Sequence, residues 1–559
     1  MKRLFTLLLC LFMVASALTG CYGGKEAAQT GEKTVDKFDL DIPKDHTFRI
    51  GLAYNRYVTD YENNALTKWL REKTGYNIEI ISVYPPSLNM PTGTEQYFVQ
   101  KFDIIMGINF GRTVANDHGE KGLAIDLAPY FNSEAWSGQW WARLNDLGDR
   151  EFADYVTRKL YADDGKSIYA FPTIEYSRYD MIRHQVFINQ EWLDALELPM
   201  PTNADELYDT LVAFKTQDPN GNRKADEIPL LGCTQTKHAD VISWIVNMFC
   251  YMEDARSLRV DDSGKISGFF WDDDYRDALI FLNKLVKEGL MPKDVFTMTN
   301  SELAEQVDPA GEVETVGIWV GNPSEILKAG SDAVNVYRAM PQWGYAVTDM
   351  GTVRHDTVVT GDCAYPAGAW KILMALSSEE GYYRMRYGEK DVDWVEAASG
   401  AKSYTGQDAK VQLVNGDVFG GTNAKTWNLV CSTISTSSCN EQVAPSNQID
   451  AWEQAKLKMM GDCYRYHYER YDVQGGRPDD VILPLIYTSD EDGEVAVHWV
   501  NTNNWYKTAQ ASFIMGEGEL DNPADKEQWQ KYMQGFTTAG YDAYVEAAQK
   551  AYNKTWGAK

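Results

Sequence analysis

Residues 48–83 read FRIGLAYNRYVTDYENNALTKWLREKTGYNIEIISV, and the hydrophobic period changes twice along them. Phe48 to Ala53 is a short apolar-rich run that reads as a strand. From about Asn63 to Thr74 the period is helical: Leu66, Trp69 and Leu70 share one face, and Gly75 stands where helices end in a left-handed residue. Asn77 to Val83, with Ile78, Ile80 and Ile81, reads as a second strand. Strand, helix and strand within about 36 residues is the size of a βαβ unit, which makes the two strands parallel and the fold class α/β.

Outward from this unit, FDIIMG (Phe102 to Gly107) adds another strand and IDLAPY (Ile125 to Tyr130) another apolar segment. Open parallel sheets bind ligands beyond the carboxyl ends of their strands. That rule points to Tyr54, Asn55, Arg56 and Tyr57 after the first strand, and to Asn109, Phe110 and Arg112 after the FDIIMG strand. DGKSIYAFP (Asp164 to Pro172) is a turn leading into an apolar segment closed by proline. Thr202 and Asp205 have the form of a capping box, followed by a stripe of Leu207, Leu211, Val212 and Phe214.

In the other direction, Lys2 and Arg3 precede an apolar run from Leu4 to Ala17. Basic start and apolar core make a secretory signal. The run is shorter than the ~20 residues of a permanent span, and no other segment reaches ~18. Leu18 to Cys21 reads LTGC, which resembles the lipobox of bacterial lipoproteins. The likeness implies cleavage before Cys21, which becomes the acylated first residue and the membrane attachment point. The alternative is an ordinary secretory signal in which Cys21 is incidental. Tyr22 to Thr47, polar and without an apolar period, is expected to be a flexible leash.

With 559 residues, 44% hydrophobic and 24% charged, the chain is globular and has room for two or three domains. Its formal charge is −28, and loss of Lys2 and Arg3 makes it −30. Such a field repels phosphate backbones, so nucleic acid is not an expected partner. After Cys10 and Cys21, six cysteines remain: Cys233, Cys250, Cys363, Cys431, Cys439 and Cys463. None sits in a zinc-type spacing. Cys431 with Cys439 is one disulfide candidate, and free buried thiols are the other reading. Seventeen tryptophans and 33 tyrosines stand out. They fit either a large core or a cleft whose flat rings stack on pyranose faces.

A series of motifs in order carries a family likeness: LTGC, DIIMG, DGKSIYAFP, WLDALELPMPTNADELYDTLVAFK, DPNGNRKADEIP, LNKLVKEGLMPKDVF and SSEEGYYRMRYGEKDVDW. Together they resemble the extracellular solute-binding proteins of carbohydrate ABC importers, with the nearest likeness to long members that include alginate- and other oligosaccharide-binding lipoproteins. The resemblance implies a two-lobe periplasmic-binding-protein-like fold of type II, with a hinge of crossing strands near Tyr169 to Tyr176 and Gly344 to Tyr365. It implies residues 1–20 as signal and 21–47 as tether. Residues 48–172 and 173–345 begin lobes 1 and 2, 346–480 mainly complete lobe 1, and 481–559 are C-terminal helices mainly of lobe 2. The implied partners are a carbohydrate and the permease subunits that recognise the closed, monomeric protein. Val395 to Asn503 matches no block and reads as an insertion that shapes the cleft. The expected ligand set is Arg56, Tyr57, Asn109, Arg112, Tyr176, Arg178, Trp244, Trp319 and Tyr365, with Trp319 at the end of VGIWV as the sharpest choice.

Asp218 to Glu227 reads DPNGNRKADE. Asp218, Asn220 and Asn222 fall at positions one, three and five of a calcium loop, Lys224 offers a carbonyl at seven, and Asp226 stands at nine. Arg223 replaces the usual glycine at six, and Pro229 the usual glutamate at twelve. The alginate-binding relatives resemble this loop and use an adjacent acid, here Glu227, so a structural calcium is expected. A polar loop without an ion is the alternative.

Two other functions bound this reading. A secreted glycoside hydrolase needs two carboxylates at fixed separation, and among 81 acids such pairs always exist. No GxSxG elbow, HExxH helix or phosphate loop is present. An oligopeptide binder needs charged anchors for peptide termini.

Overall fold

The computed structural model describes residues 38–84, 93–254, 256–309, 313–415, 421–429 and 434–556. The signal, Cys21, most of the expected leash and Cys431 lie outside the described residues. Strand β1 (Thr47–Ala53) is buried from Phe48 on except at half-exposed Arg49, as a strand covered on both faces must be. Helix α1 (Ala65–Thr74) follows, capped by Asn64, whose side chain accepts from the Leu66 N–H, and closed by Gly75 at φ 74°. It buries Leu66 and Leu70, each contributing roughly 1.5–3 kcal/mol. Strand β2 (Asn77–Val83) pairs with β1 in parallel, as the βαβ reading predicts. Gly51 in β1 admits the Phe102 ring, which a Cβ there would meet at 2.7 Å.

The sheet continues with β3 (Ile104–Met106) and β4 (Phe171–Glu175). Between them run helices α2 (Gly111–Glu120) and α3 (Arg150–Leu160). The expected apolar segment at Ile125 becomes a turn and a short helix, Ala128–Phe131, because Pro129 suits a first helical turn. The chain then passes to a second sheet made of β5 (Val186–Asn189), β6 (Ile228–Leu231), β7 (Val316–Val320) and β8 (Tyr337–Ala339), in the order β8-β5-β7-β6. Helix α4 (Ala204–Thr216) is capped by Asn203 rather than Thr202, although the Thr202 hydroxyl and N–H both donate to Glu206. Helix α5 (Asp273–Lys287) covers the second core.

The chain returns to the first sheet with β9 (Thr352–Val359), which lies antiparallel between β3 and β4, and later adds β10 (Ile434–Ser435) beside β4. The first sheet thus has the order β10-β4-β9-β3-β1-β2. Helix α6 (Glu379–Tyr387) and a small sheet of Trp394–Glu396, Val411–Leu413 and Val443–Ala444 lie beyond its β10 edge. Helix α7 (Ala451–Gln474) packs on β8 of the second sheet, so the span expected to complete lobe 1 up to residue 480 ends in a helix of lobe 2. Helix α8 (Ser489–Met515) runs along α5, and α9 (Tyr541–Trp556) packs on α8. Two lobes result, one core around each sheet.

The expected leash is shorter than the sequence suggests: Phe38 meets Tyr130 and Trp136 at 5.3 and 5.7 Å, and Ile42 packs on the lobe 1 core. Cys233, Cys250, Cys363, Cys439 and Cys463 are free, buried thiols. Among the described residues no helix is long and apolar enough to cross a membrane.

Candidate functional site

Three segments cross between the lobes, and two of them run side by side, one from β4 to β5 and one from β8 to β9. The first crossing follows Glu175 rather than lying at 169–176, since β4 is itself part of the lobe 1 sheet. An isolated bridge joins Ile182 to Thr348, the Asp349 N–H donates to the Met181 carbonyl (2.8 Å), and the Arg183 N–H to the Val347 carbonyl (3.1 Å). Arg183 and Lys237 each reach Asp349 at 2.9 Å. Burial pushes the Asp349 carboxyl up, but the two cations hold it below the usual carboxylate range.

A cavity opens on each side of these crossings, and Met181 and Met350 line both. The larger, about 870 Å³, is walled by both lobes. Lobe 1 supplies Glu175 at the carboxyl end of β4, Tyr382, Arg386 and Tyr387 of α6, and Tyr404 and Asn440. Lobe 2 supplies Lys237, Asn322 and Ser324, while Glu453, Lys456 and Met460 come from the first half of α7. Its rings are tyrosines, and its size lies within the range of small-ligand clefts. The smaller cavity, about 480 Å³, is lined by Asp149, Glu151, Tyr176, Arg178, Tyr471 and Arg477 among others. Here the Tyr176 hydroxyl donates to Asp149 (3.1 Å), the Arg178 guanidinium lies 4.4 Å from the Tyr468 ring centre, and Arg477 pairs with Glu253 (2.5 Å) and Glu151 (3.8 Å).

Glu441 sits between the two. It is wholly buried and accepts hydrogen bonds from the Tyr179 N–H (3.2 Å), the Tyr464 hydroxyl (3.1 Å) and the Gln407 amide (3.4 Å). Burial pushes its carboxyl up to about 7, against these hydrogen bonds and the nearby Arg178 charge.

No family model matches the chain. Over 142 residues, 24% of the chain, it is 34% identical to the fructooligosaccharide ABC transporter substrate-binding protein FusA of Streptococcus pneumoniae, of which the match covers 26%. The matched stretch is thus similar to a substrate-binding protein of an ABC transporter. Over 281 residues, 49% of the chain, it is 28% identical to lipoprotein LipO of Bacillus subtilis, covering 48% of that protein. The matched segments thus span half of these relatives' length or less. Among solved structures, an "HMO binding" ABC-transporter-associated solute-binding protein from Bifidobacterium longum infantis superposes with a TM-score of 0.68 at 18% identity, covering 91% of this chain and 98% of that one. An EF-hand mutant of Streptococcus pneumoniae FusA in complex with fructo-nystose superposes with a TM-score of 0.61 at 17% identity, covering 92% of this chain and 100% of that one. The two-lobe substrate-binding-protein fold is therefore shared over nearly the whole described chain.

Within this fold the expected ligand residues part into three groups. Tyr176 and Arg178 line the smaller cavity. Arg56, Tyr57, Asn109 and Arg112 lie along the carboxyl edge of β1 and β3 but line neither cavity. Arg56 is spent on Tyr57, whose hydroxyl it reaches at 2.6 Å. Arg112 is a strut between lobes: it pairs with Asp163 (2.7 Å) and donates to the Tyr161 and Tyr487 carbonyls (both 2.9 Å). Trp244, Trp319 and Tyr365 require correction. Trp319 is 0% exposed, stacked on Phe187 at 4.4 Å and edge-on to Tyr337, so it has no face to offer a ligand. Trp244 is buried in the lobe 2 core beside Trp343. Tyr365 follows β9, which runs against its neighbours, so it lies at the edge away from the cleft and packs on His46.

Other residues went unnoticed. Asn322 and Ser324 reach the cavity three and five residues after Trp319, so the strand-end rule pointed to the right loop and the wrong side chain. The same rule, applied to β4, leads to Glu175, Ser177 and Asp180. Tyr404, Asn440 and Glu453 belong to the unmatched region, where no local signal marks them.

The Asp218 to Glu227 loop folds its oxygens inward. The Asp218 carboxylate accepts from the Arg223 N–H, Asn220 from the Asn222 N–H, and Asn222 from the Lys224 N–H (2.8 Å). Arg223 adopts φ 62°, the left-handed turn that the sixth position of a calcium loop requires. Glu227 Oε1 is buried without a hydrogen-bond partner, and burial with the neighbouring Asp226 and Asp218 charges raises its carboxyl. An unsatisfied carboxylate facing other acids is what a cation relieves, so these residues fit calcium. The tighter gathering of Glu95, Asp117 and His118 has Lys121 at 2.6 Å from Asp117, which already supplies a positive charge there.

Proposed function

We propose that this chain is the solute-binding lipoprotein of an ABC importer, which captures an oligosaccharide between its lobes and delivers it to membrane permease subunits. The observation that carries this reading is the larger cavity: both lobes wall it, two linked crossings floor it, and Tyr179, Tyr382, Tyr387 and Tyr404 line it beside hydroxyl and amide groups. Ring faces take sugar C–H groups, and polar rims take hydroxyls. Hinge closure about the crossings creates the form that the permease reads. The named FusA relative is a substrate-binding protein, which supports binding over catalysis. In this reading Cys21 carries the lipid that holds the protein on the outer face of the membrane.

A thermal-shift screen against oligosaccharides and oligopeptides, followed by titration calorimetry, tests the reading. A glycan is expected to raise the melting temperature; a peptide that does so while every glycan fails removes it. Calcium belongs to the same reading as a structural ion held by Asp218, Asn220, Asn222, the Lys224 carbonyl, Asp226 and Glu227, remote from any reacting group. An ion bound by the native state alone, at a hundred times its dissociation constant, stabilises by about 2.7 kcal/mol. Chelator is expected to lower the melting temperature of the parent and leave Asp218→Ala unmoved. No chelator response in the parent returns the loop to an ion-free turn.

A further inference from the structure

Resting on the carbohydrate reading, we propose that the larger cavity selects a neutral oligosaccharide and rejects one carrying uronate carboxylates, because the cations in its wall are already engaged by the protein. Recognition of a buried carboxylate needs an uncommitted cation or a fork of donors aimed at it. The wall holds three cations: Lys237, Arg386 and Lys456. Lys237 is fixed twice, by the Asp349 carboxylate (2.9 Å) and the Asp180 carbonyl (2.7 Å). Lys456 pairs with Glu453 at 2.8 Å, and its side chain is only 14% exposed, held over the Trp452 ring. Arg386 is likewise engaged, and its charge acts on the Asp180 carboxyl.

The anionic side of the wall points the same way. Glu175 and Asp180 face the cavity with Glu453, and Glu175 is bound to Arg354 at 2.8 Å. Burial raises the Asp180 carboxyl even with Lys237 and Arg386 nearby. Behind the wall, Glu441 is raised by burial as well. With the lysines already held, an incoming carboxylate must either stay unpaired or break an existing pair, and both are costly. A neutral sugar meets no such demand: Ser177, Asn322, Ser324 and Asn440 offer hydroxyl and amide groups, and the tyrosine rings offer faces.

The test is titration calorimetry on the full mature protein with two panels of similar length. Kestose, cellotetraose and xylotetraose are neutral; tetragalacturonate and tetramannuronate are acidic. The expected result is a neutral member bound at least tenfold more tightly than either uronate. Glu453→Gln, which leaves Lys456 without its partner, is expected to narrow that ratio at least threefold, with folding checked by its melting temperature. A uronate that binds as tightly as the best neutral sugar overturns the inference and leaves the carbohydrate reading standing. An unchanged ratio in folded Glu453→Gln also overturns it, since the charge pairing then has no influence. Absence of binding by any glycan removes both.

Discussion

On one side of the crossing segments lies a cavity of about 870 Å³ whose lysines are held by protein carboxylates and whose other lining mixes tyrosine, hydroxyl and amide groups with aliphatic side chains. On the other lies one of about 480 Å³ built from acids and arginines that reach across the lobes: Arg477, held to Glu253 of lobe 2, also approaches Glu151 of lobe 1 at 3.8 Å. The same hinge thus has a face suited to a ligand and a face suited to holding the lobes in register. Charge spent between lobes fixes geometry; uncharged polar surface is what a sugar can use. Glu441 forms the partition, with Tyr179 on the larger side and Arg178 on the smaller.

The sharpest way to break this contrast is to remove the ion pair that pins the crossings. Asp349→Ala strands Arg183 and Lys237, and breaking a largely buried pair from one side costs about 3–5 kcal/mol. Calorimetry is expected to show a large fall in melting temperature; a fall no greater than that of an exposed substitution denies the crossings their charge lock. Next comes the partition. Glu441 holds its proton up to about 7 in the fold but gives it up near 4.5 in the unfolded chain. The folded state then binds the extra proton between these values, so stability is fully present below 4.5 and declines as pH rises to about 7. The slope is at most about 1.4 kcal/mol per pH unit. Urea titrations across that window are expected to show the decline in the parent and a flatter profile in Glu441→Gln; identical profiles contradict a protonated Glu441.

The smallest effect distinguishes the two cavities directly. Tyr404→Ala removes a ring from the larger cavity, and such a loss costs about 1–3 kcal/mol of binding, tenfold or more in affinity. Tyr471→Ala removes a ring from the smaller cavity and is expected to change glycan affinity less than threefold. Calorimetric titration of both variants with the same glycan decides between them. The reverse pattern would move the ligand to the side of Tyr176 and Arg178.

Much of the scaffold was legible in local pattern. The βαβ unit, its helix stop at Gly75 and its parallel register follow from period and length, which backbone geometry alone fixes. The left-handed Arg223 follows from the spacing read in DPNGNRKADE, whose sixth position usually carries glycine for that turn. The site was legible only in part. Trp319 and Asn322 sit near one strand end, but the strand is buried on both faces and takes the tryptophan into the core, while the polar residues follow in the loop and short helix that face the gap. Likewise, the tryptophans that suggested stacking platforms include Trp140, Trp319, Trp370 and Trp427, all wholly buried, since the largest apolar surface gains most from leaving water.

By itself the sequence determined the secretory and lipobox-like start as an expectation, the α/β class, the calcium-type spacing of one loop and, at the end of VGIWV, one strand end that borders the cleft. Those are properties of neighbours in the chain. Tertiary structure alone decided which loops face one another: Glu441 meets Tyr179 across 262 positions, and Asn64 donates to the Thr426 carbonyl across 362. It decided that α7, far along the chain, supplies a wall of the larger cavity, and that the cations there are paired. The reason is that a side chain's partner is set by how sheets and helices pack, and packing joins residues whose separation leaves no trace in local period.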